Sequence, residues 1–338
     1  MKENAIQEGI NEILKNLGDV SFEDQTVLVT GGAGFLGSWL CDVLVSQSAR
    51  VICLDNLASG LESNITHLLD QENFKFVKHD ISQPIYFDEK IDVVMHLASR
   101  ASPLEFDKFP IQILKANTLG TWIALGIAKK HKARFLFTST SEVYGNPEVV
   151  PTPETYNGNV NPIGVRGCYD ESKRAGEAMC MAYMRQHKLD VRIARIFNTY
   201  GPRMRADGVY GRVIPRFIKQ ALNNEPLTIF GDGKQTRSFC YVTDQIEGLL
   251  RLAWFDSAKG EVVNIGNPNE ITILELAEIV KKITNSNSPL EFHPLPPDDP
   301  RRRCPDISKA REILDWVPKI GLEDGLKKTV NWYQSSGF

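Results

Sequence analysis

The segment Gly31-Gly32-Ala33-Gly34-Phe35-Leu36-Gly37 limits what this chain can fold into more than any other. It follows a short apolar run, Thr26–Thr30, and opens an amphipathic stretch, so it reads as a strand-to-helix turn. It carries G-x-x-G-x-x-G from Gly31 and G-x-G-x-x-G from Gly32. Glycine there permits a tight turn, close strand–helix packing and access of a pyrophosphate to the open N–H groups of the helix start. A bare glycine pattern says little; the strand–turn–helix setting makes it informative.

From residue 25 onward, short apolar runs alternate with longer amphipathic stretches. The expected strands are Thr26–Thr30, Arg50–Leu54, Phe74–Val77, Val93–Leu97, Arg134–Thr138 and Val191–Ile196. Helices separate most of them, notably over 36–47, 111–131 and 171–187. Buried strands joined by crossover helices predict a parallel, doubly wound α/β sheet. Ahead of it, Ile6, Ile10, Ile13, Leu14 and Leu17 form an apolar stripe at helical spacing, a leading helix for packing on the body or on a second subunit. Past Asn198 the chain becomes irregular and rich in Gly, Pro and Arg, with helices near 212–223 and 272–284 and a proline-rich stretch over 293–306. The expected organisation is an amphipathic helical extension (1–23), a cofactor-binding sheet domain (24–197) and a smaller, irregular C-terminal substrate-binding lobe (198–338). Within the last, 240–266 is expected to return to the sheet domain through Val262–Ile265.

Composition excludes several classes. A net charge of −3 gives no bias towards nucleic acid or an anionic membrane. No run approaches the roughly 20 apolar residues of a membrane helix, and the first residues lack the basic start and apolar core of a secretory signal. The six cysteines are scattered without a C-x-x-C pair, which predicts packed, reduced thiols. No residues have metal-ligand spacing, and His79 and His96 are expected to be structural. A soluble, cytoplasmic protein is the expectation.

The second strand runs into Asp55. A carboxylate there accepts bonds from adenosine ribose hydroxyls and repels a 2′-phosphate, while Asn56-Leu57-Ala58 offers no cation to welcome one. NAD is thus expected rather than NADP. Asp80, after the third strand, is a candidate for the adenine amine or a solvated turn. Tyr169 and Lys173 are four apart near the start of a helical segment and share one face. An ammonium beside a phenol favours the phenolate and makes it a usable base. Upstream, Thr138-Ser139-Thr140-Ser141 ends a strand with hydroxyls suited to orienting a substrate alcohol.

TGGAGFLG, HLAS, the serine/threonine strand end and YxxxK together resemble the extended short-chain dehydrogenase/reductase family, over about residues 24 to 335. Within it the chain looks most like the UDP-glucuronate decarboxylases. The match is carried by TSTSEVYGNPEV (138–149), VNPIGVRGCYDESKR (160–174), RIFNTYGPRM (195–204), QTRSFCYVTD (235–244) and DDPRRRCPDISKA (298–310). The resemblance implies a Rossmann-type fold, bound NAD and a UDP-sugar partner. It adds Ile81, Leu97 and Ala98 to Gly31, Gly34, Phe35, Leu36, Gly37, Asp55, Asn56 and Asp80 as cofactor contacts. It implies that Tyr169 deprotonates the sugar 4-hydroxyl, Thr140 bonds the same oxygen, and Lys173 holds the nicotinamide ribose. Ser141 and Glu142 stand where related 4,6-dehydratases carry an Asp-Glu pair; Ser141 is a poor acid, which disfavours dehydration. Asn198, Arg212, Arg237 and Arg303 match nucleotide-sugar contacts, and guanidinium forks suit phosphate oxygens. A homodimer through helices 111–131 and 171–187 is also implied, with Met179, Ala182 and Tyr183 at the contact.

Two departures stand in the loop after HLAS: Arg100 where the family usually has Pro, and Phe106 where it usually has Tyr. Arg100 is therefore a candidate for the substrate carboxylate. The rival readings are a UDP-glucuronate or UDP-hexose 4-epimerase, which shares the Tyr-Lys pair, and a redox-inactive, NAD-responsive binding protein. The presence of Thr140, Tyr169 and Lys173 together argues against the second.

Overall fold

The computed structural model describes residues 2–206, 212–295 and 300–336. Parts of two stretches noted above, 207–211 in the arginine-rich segment and 296–299 in the proline-rich one, lie outside the described residues. Strands β1 (Thr26–Thr30), β2 (Arg50–Asp55), β3 (Phe74–Lys78), β4 (Val93–His96), β5 (Arg134–Thr140) and β6 (Val191–Ile196) form one sheet with a seventh strand, Val262–Ile265. All neighbours run parallel, in the spatial order Val262–Ile265, β6, β5, β4, β1, β2, β3. This is the doubly wound, Rossmann-type sheet expected.

The period-2 geometry of a strand explains why both faces are apolar. Val27, Val29, Val51, Cys53 and Leu136 enter a core on one face. Leu28, Ile52, Leu54, Phe135 and Phe137 enter the core on the other. Helices α3 (Pro110–His131) and α4 (Gly167–His187) cover the second face. The first is covered by α1 (Lys2–Leu17), α2 (Phe35–Ser46) and α6 (Val242–Trp254), with α5 (Val213–Leu222), α7 (Ile273–Thr284), α8 (Ser308–Leu314) and α9 (Leu322–Ser336) extending the same core.

The leading helix belongs to this body. Ile6, Ile10, Ile13 and Leu17 are buried in its core, and a Cβ at Gly9 would meet the Trp39 ring at 2.7 Å. Helix α6 was not legible as a helix because polar residues interrupt its apolar pattern while nearly the whole of it is buried. Those groups find partners in the tail and within the helix: Asp244 accepts from the Ile320 N–H (2.9 Å), and Glu247 pairs with Lys319 of the tail and with Arg251 one turn on (3.0 Å each). The C-terminal part of the chain adds short strand pairs, Leu227–Phe230 with Leu290–His293 and Thr236–Ser238 with Glu270–Thr272. Among the described residues no helix is long and apolar enough to cross a membrane.

A part-buried polar chain ties the sheet to α4 and to the segment after β5. Ser139 Oγ donates to Glu177 (2.6 Å), which also receives Arg195 Nε (2.9 Å) and Nη2 (2.7 Å). Arg195 Nη1 continues to Tyr144 Oη and the Glu154 carbonyl (3.0 Å each), and Tyr144 donates to Asn264 (2.7 Å). Burial works against the Arg195 charge, and the bond to Glu177 more than offsets it. Arg195→Met strands the Glu177 carboxylate, so we expect a loss of about 3–5 kcal/mol in urea unfolding. A loss below about 1 kcal/mol would show that this chain does not hold the parts together.

Candidate active site

The strand order reverses between β1 and β4, where loops from neighbouring strand ends leave in opposite directions and a crevice must open. A cleft of about 560 Å³ lies there. The glycine turn forms its floor. Gly31 adopts φ +72°, and a Cβ at Gly37 would stand 2.1 Å from the Gly31 carbonyl oxygen. Gly34 caps α2 without a side-chain bond, so the first N–H groups of the helix stay open beside the cleft. Those groups and the missing side chains fit the diphosphate of a dinucleotide.

Asp55 reaches the same cleft and is buried, its carboxylate accepting from the N–H groups of Ala33 (3.0 Å) and Leu57 (2.8 Å). Burial raises its pKa, against those two bonds. Each oxygen keeps lone-pair capacity for a ribose hydroxyl. Gly31, Gly34, Phe35, Leu36, Gly37 and Asn56 line the cleft, as do Asp80, Ile81, Leu97 and Ala98. Asp80 also bonds Ser82 through the backbone N–H (2.9 Å) and hydroxyl (2.8 Å). His96 lies deep in the sheet between Thr30 (2.7 Å) and Thr121 (3.1 Å), and burial lowers its pKa to about 3; it is structural.

At the other end β5 delivers Thr140, the following turn Ser141 and Glu142, and the first two turns of α4 Tyr169 and Lys173. Phe106 stacks on the Tyr169 ring, with centroids 5.2 Å apart and planes within 17°. Burial pushes the Tyr169 phenol up to about 12, while the Arg212 charge and a Thr140 hydrogen bond pull it down. Lys173 donates to the Thr138 carbonyl (2.8 Å), and burial lowers its pKa to about 7. Arg212 is the charge that most favours the Tyr169 phenolate here, while Lys173, expected to activate it, is buried 5.9 Å from the Tyr169 ring centroid with its ammonium on the Thr138 carbonyl.

The expected sugar-nucleotide arginines divide. Asn198 and Arg212 line the cleft, Arg212 also donating to the Ala101 carbonyl. Arg237 and Arg303 are absent from the lining. Arg237 donates to the Thr236 carbonyl (2.8 Å) beside its own strand. Arg303 lays its fork on both oxygens of Glu142, with Nη2 at 2.7 Å from Oε2. Arg166, not singled out from the sequence, grips the same carboxylate. Burial opposes the Glu142 charge, yet the two guanidiniums bring its pKa to about 2. Arg100 lines the cleft but pairs with buried Glu105 and lies 4.5 Å over the Phe109 ring. It also donates to the Ala58 carbonyl (3.2 Å), and Arg205 donates to the next one, Ser59 (3.1 Å), so two arginines fasten the loop after β2. Its expected role toward a substrate carboxylate competes with the Glu105 pair. Arg203 and Arg205 are cleft residues the sequence reading passed over, although both stand in the quoted or adjacent arginine-rich segment.

Comparisons agree with this geometry. The NAD dependent epimerase/dehydratase family matches residues 27–266. UDP-glucuronic acid decarboxylase 4 of Arabidopsis thaliana is 50% identical over 315 residues, covering 92% of this chain and 69% of that one. An epimerase structure from Methanothermobacter thermautotrophicus superposes with TM-score 0.85 at 34% identity, covering 93% and 94% of the two chains. The UDP-glucuronic acid 4-epimerase of Bacillus cereus, solved with UDP-glucuronic acid and NAD, gives TM-score 0.83 at 32% identity, covering 93% of this chain and all of that one (100%).

Asp55→Asn keeps the shape but removes the charge expected to meet the adenosine ribose. NAD affinity is expected to fall by about tenfold while NADP affinity changes less, read by calorimetry. Equal affinity of the unaltered protein for NAD and NADP would contradict this role of Asp55.

Proposed function

Because the chain belongs to the NAD dependent epimerase/dehydratase family, we propose that it is a UDP-glucuronate decarboxylase that forms UDP-xylose. The observation that carries this reading is the sugar end of the cleft, where Thr140 and Tyr169 stand beside a Glu142 held ionised by two guanidiniums, with Ser141 in place of an acid. The 50% identity to a decarboxylase supports it over the epimerase alternative, of which solved examples are 32–34% identical.

The glycine turn, Asp55 and Lys173 would hold NAD, which would supply a hydride acceptor for sugar C4 and a donor for its return, with no net change of redox state. Tyr169 takes the 4-hydroxyl proton while Thr140 bonds the same oxygen. The buried phenol is a reluctant acid on its own, so the positive charge of Arg212 matters to this step, and Lys173 lies 5.9 Å from the ring centroid. Once C4 is a ketone, the sugar carboxylate stands β to it. The bond to CO2 breaks, and its electron pair enters an enolate whose oxygen faces Thr140 and the protonated Tyr169. C5 then takes a proton. A carboxylate with a pKa near 2 is no donor at neutral pH, so Glu142 serves by ordering the water that brings that proton. Asn198 and Arg212 are our candidates for the UDP moiety, with Arg237 and Arg303 available only on rearrangement.

We also assign the protein to the cytoplasm, where its six free cysteines would stay reduced. A homodimer through α3 and α4 is supported by the outer face of α3, where Ile111, Leu114, Leu119 and Trp122 are exposed. Met179 and Tyr183 on α4 are half-buried and Ala182 exposed. Trp122→Glu is expected to turn a dimer into a monomer in sedimentation at low micromolar concentration, and an unchanged sedimentation coefficient would remove this face from the assembly.

The reaction is tested with UDP-glucuronate, NAD and deuterated water. UDP-xylose carrying deuterium at C5 is the expected product by NMR, and UDP-galacturonate with its carboxylate intact would establish the epimerase instead. Tyr169→Phe should slow either reaction by about 100-fold or more with NAD binding near that of the unaltered protein; full turnover would remove Tyr169 from the mechanism.

A further inference from the structure

Behind the cleft wall lies a second carboxylate that the mechanism above does not use. Asp170 follows Tyr169 in α4, is only 4% exposed, and does not line the cleft. Its Oδ1 is buried without a hydrogen-bond partner. Its Oδ2 lies 3.8 Å from Nε of Arg166, the guanidinium that also grips Glu142. A buried carboxylate oxygen left unbonded is costly when charged, and much less so when the group carries a proton.

The charges around it decide which form is present. From the turn after β5 comes Glu142, and from the C-terminal lobe Arg303. Arg166, Glu171, Tyr169 and Cys168 face it from its own helix. Burial raises the Asp170 pKa to about 7, Glu142 adds to the rise, and Arg166 and Arg303 oppose it. Arg303 and Arg166 are committed to Glu142 through shorter contacts, so Asp170 is the weaker claimant on a shared cation.

We propose, resting on the reaction just given, that Asp170 is a positioning residue that sets the net charge behind the sugar end of the cleft. Uncharged, it leaves two guanidiniums against the single carboxylate of Glu142. The surplus positive charge favours the sugar carboxylate, the phenolate of Tyr169 and the enolate that follows. Ionised, Asp170 cancels that surplus and draws Arg166 away from Glu142. The same charge acts directly on Tyr169, whose phenol is raised by both Asp170 and Glu142 after burial.

The sign follows. A group that helps only when protonated, with a pKa of about 7 in the free protein, makes kcat/KM fall as pH rises through that value. Asp170→Asn is permanently neutral, so its kcat/KM for UDP-glucuronate should lose this alkaline decline and run about tenfold above the unaltered protein by about pH 8 to 9. A residue that only supports the fold would scale the whole profile and leave its shape alone. An Asp170→Asn profile parallel to that of the unaltered protein overturns the proposal. Should that variant not fold, the unaltered protein labelled with ¹³C-aspartate decides the matter. One carboxyl should titrate near neutrality and shift on adding UDP-glucuronate, whereas Asp244, held at about 6 elsewhere in the fold, should not respond to the sugar. Absence of a sugar-sensitive carboxyl overturns the proposal. Carbon dioxide release by the unaltered protein at any pH tests the decarboxylase reading separately, so the two can fail independently.

Discussion

Between Gly31 and Gly37 the backbone folds back so closely that one methyl group at Gly37 would stand 2.1 Å from the Gly31 carbonyl oxygen. That approach sets the start of α2 directly over the end of β1. It also determines what the rest of the cleft can be, because the open N–H groups of α2 then face the gap between β1 and β4. Asp55 reinforces the turn from the neighbouring strand by accepting from Ala33 within it. Gly32 packs on Cys53 in the same way, with room for no side chain. The turn and the second strand are therefore one packed unit, and the cofactor end of the site is built into the sheet rather than attached to it.

This explains why the cofactor half was legible in the sequence. Its residues follow strand ends at fixed offsets, and strand ends were marked by apolar runs with Gly or Asp after them; β1 and β6 were read with their observed limits. The sugar half was less legible because its contacts are long-range. Nothing near Glu142 in sequence announces that Arg166 and Arg303 converge on it. Arg303 and Arg237 fit an anion-binding reading residue by residue, yet the fold turns one to a carboxylate and the other to its own strand. Helix α6 escaped notice for a related reason: its buried Asp244 and Glu247 look like surface residues until their partners in the tail are known.

The electrostatics of the sugar end follow from burying many charges together. Burial disfavours the charged form of Tyr169, Lys173 and Asp170 alike, so each is displaced toward neutrality. Glu142 is the exception because two guanidinium contacts outweigh its desolvation. A cluster with groups poised near neutral pH beside one group locked as an anion suits a reaction that moves protons without changing overall redox state.

The loop after β2, fastened through Ala58 by Arg100 and through Ser59 by Arg205, bears on how the dinucleotide would be used. One anchor comes from the loop after β4 and the other from the C-terminal lobe, so freeing this flap requires both to let go. In a dehydrogenase that discharges reduced cofactor every cycle, such fastening would throttle throughput. A chemistry that hands its hydride back to the same sugar has no need of exchange. Under the proposed reaction the dinucleotide would act as a resident prosthetic group rather than a co-substrate, since the hydride it received would leave again with the same sugar.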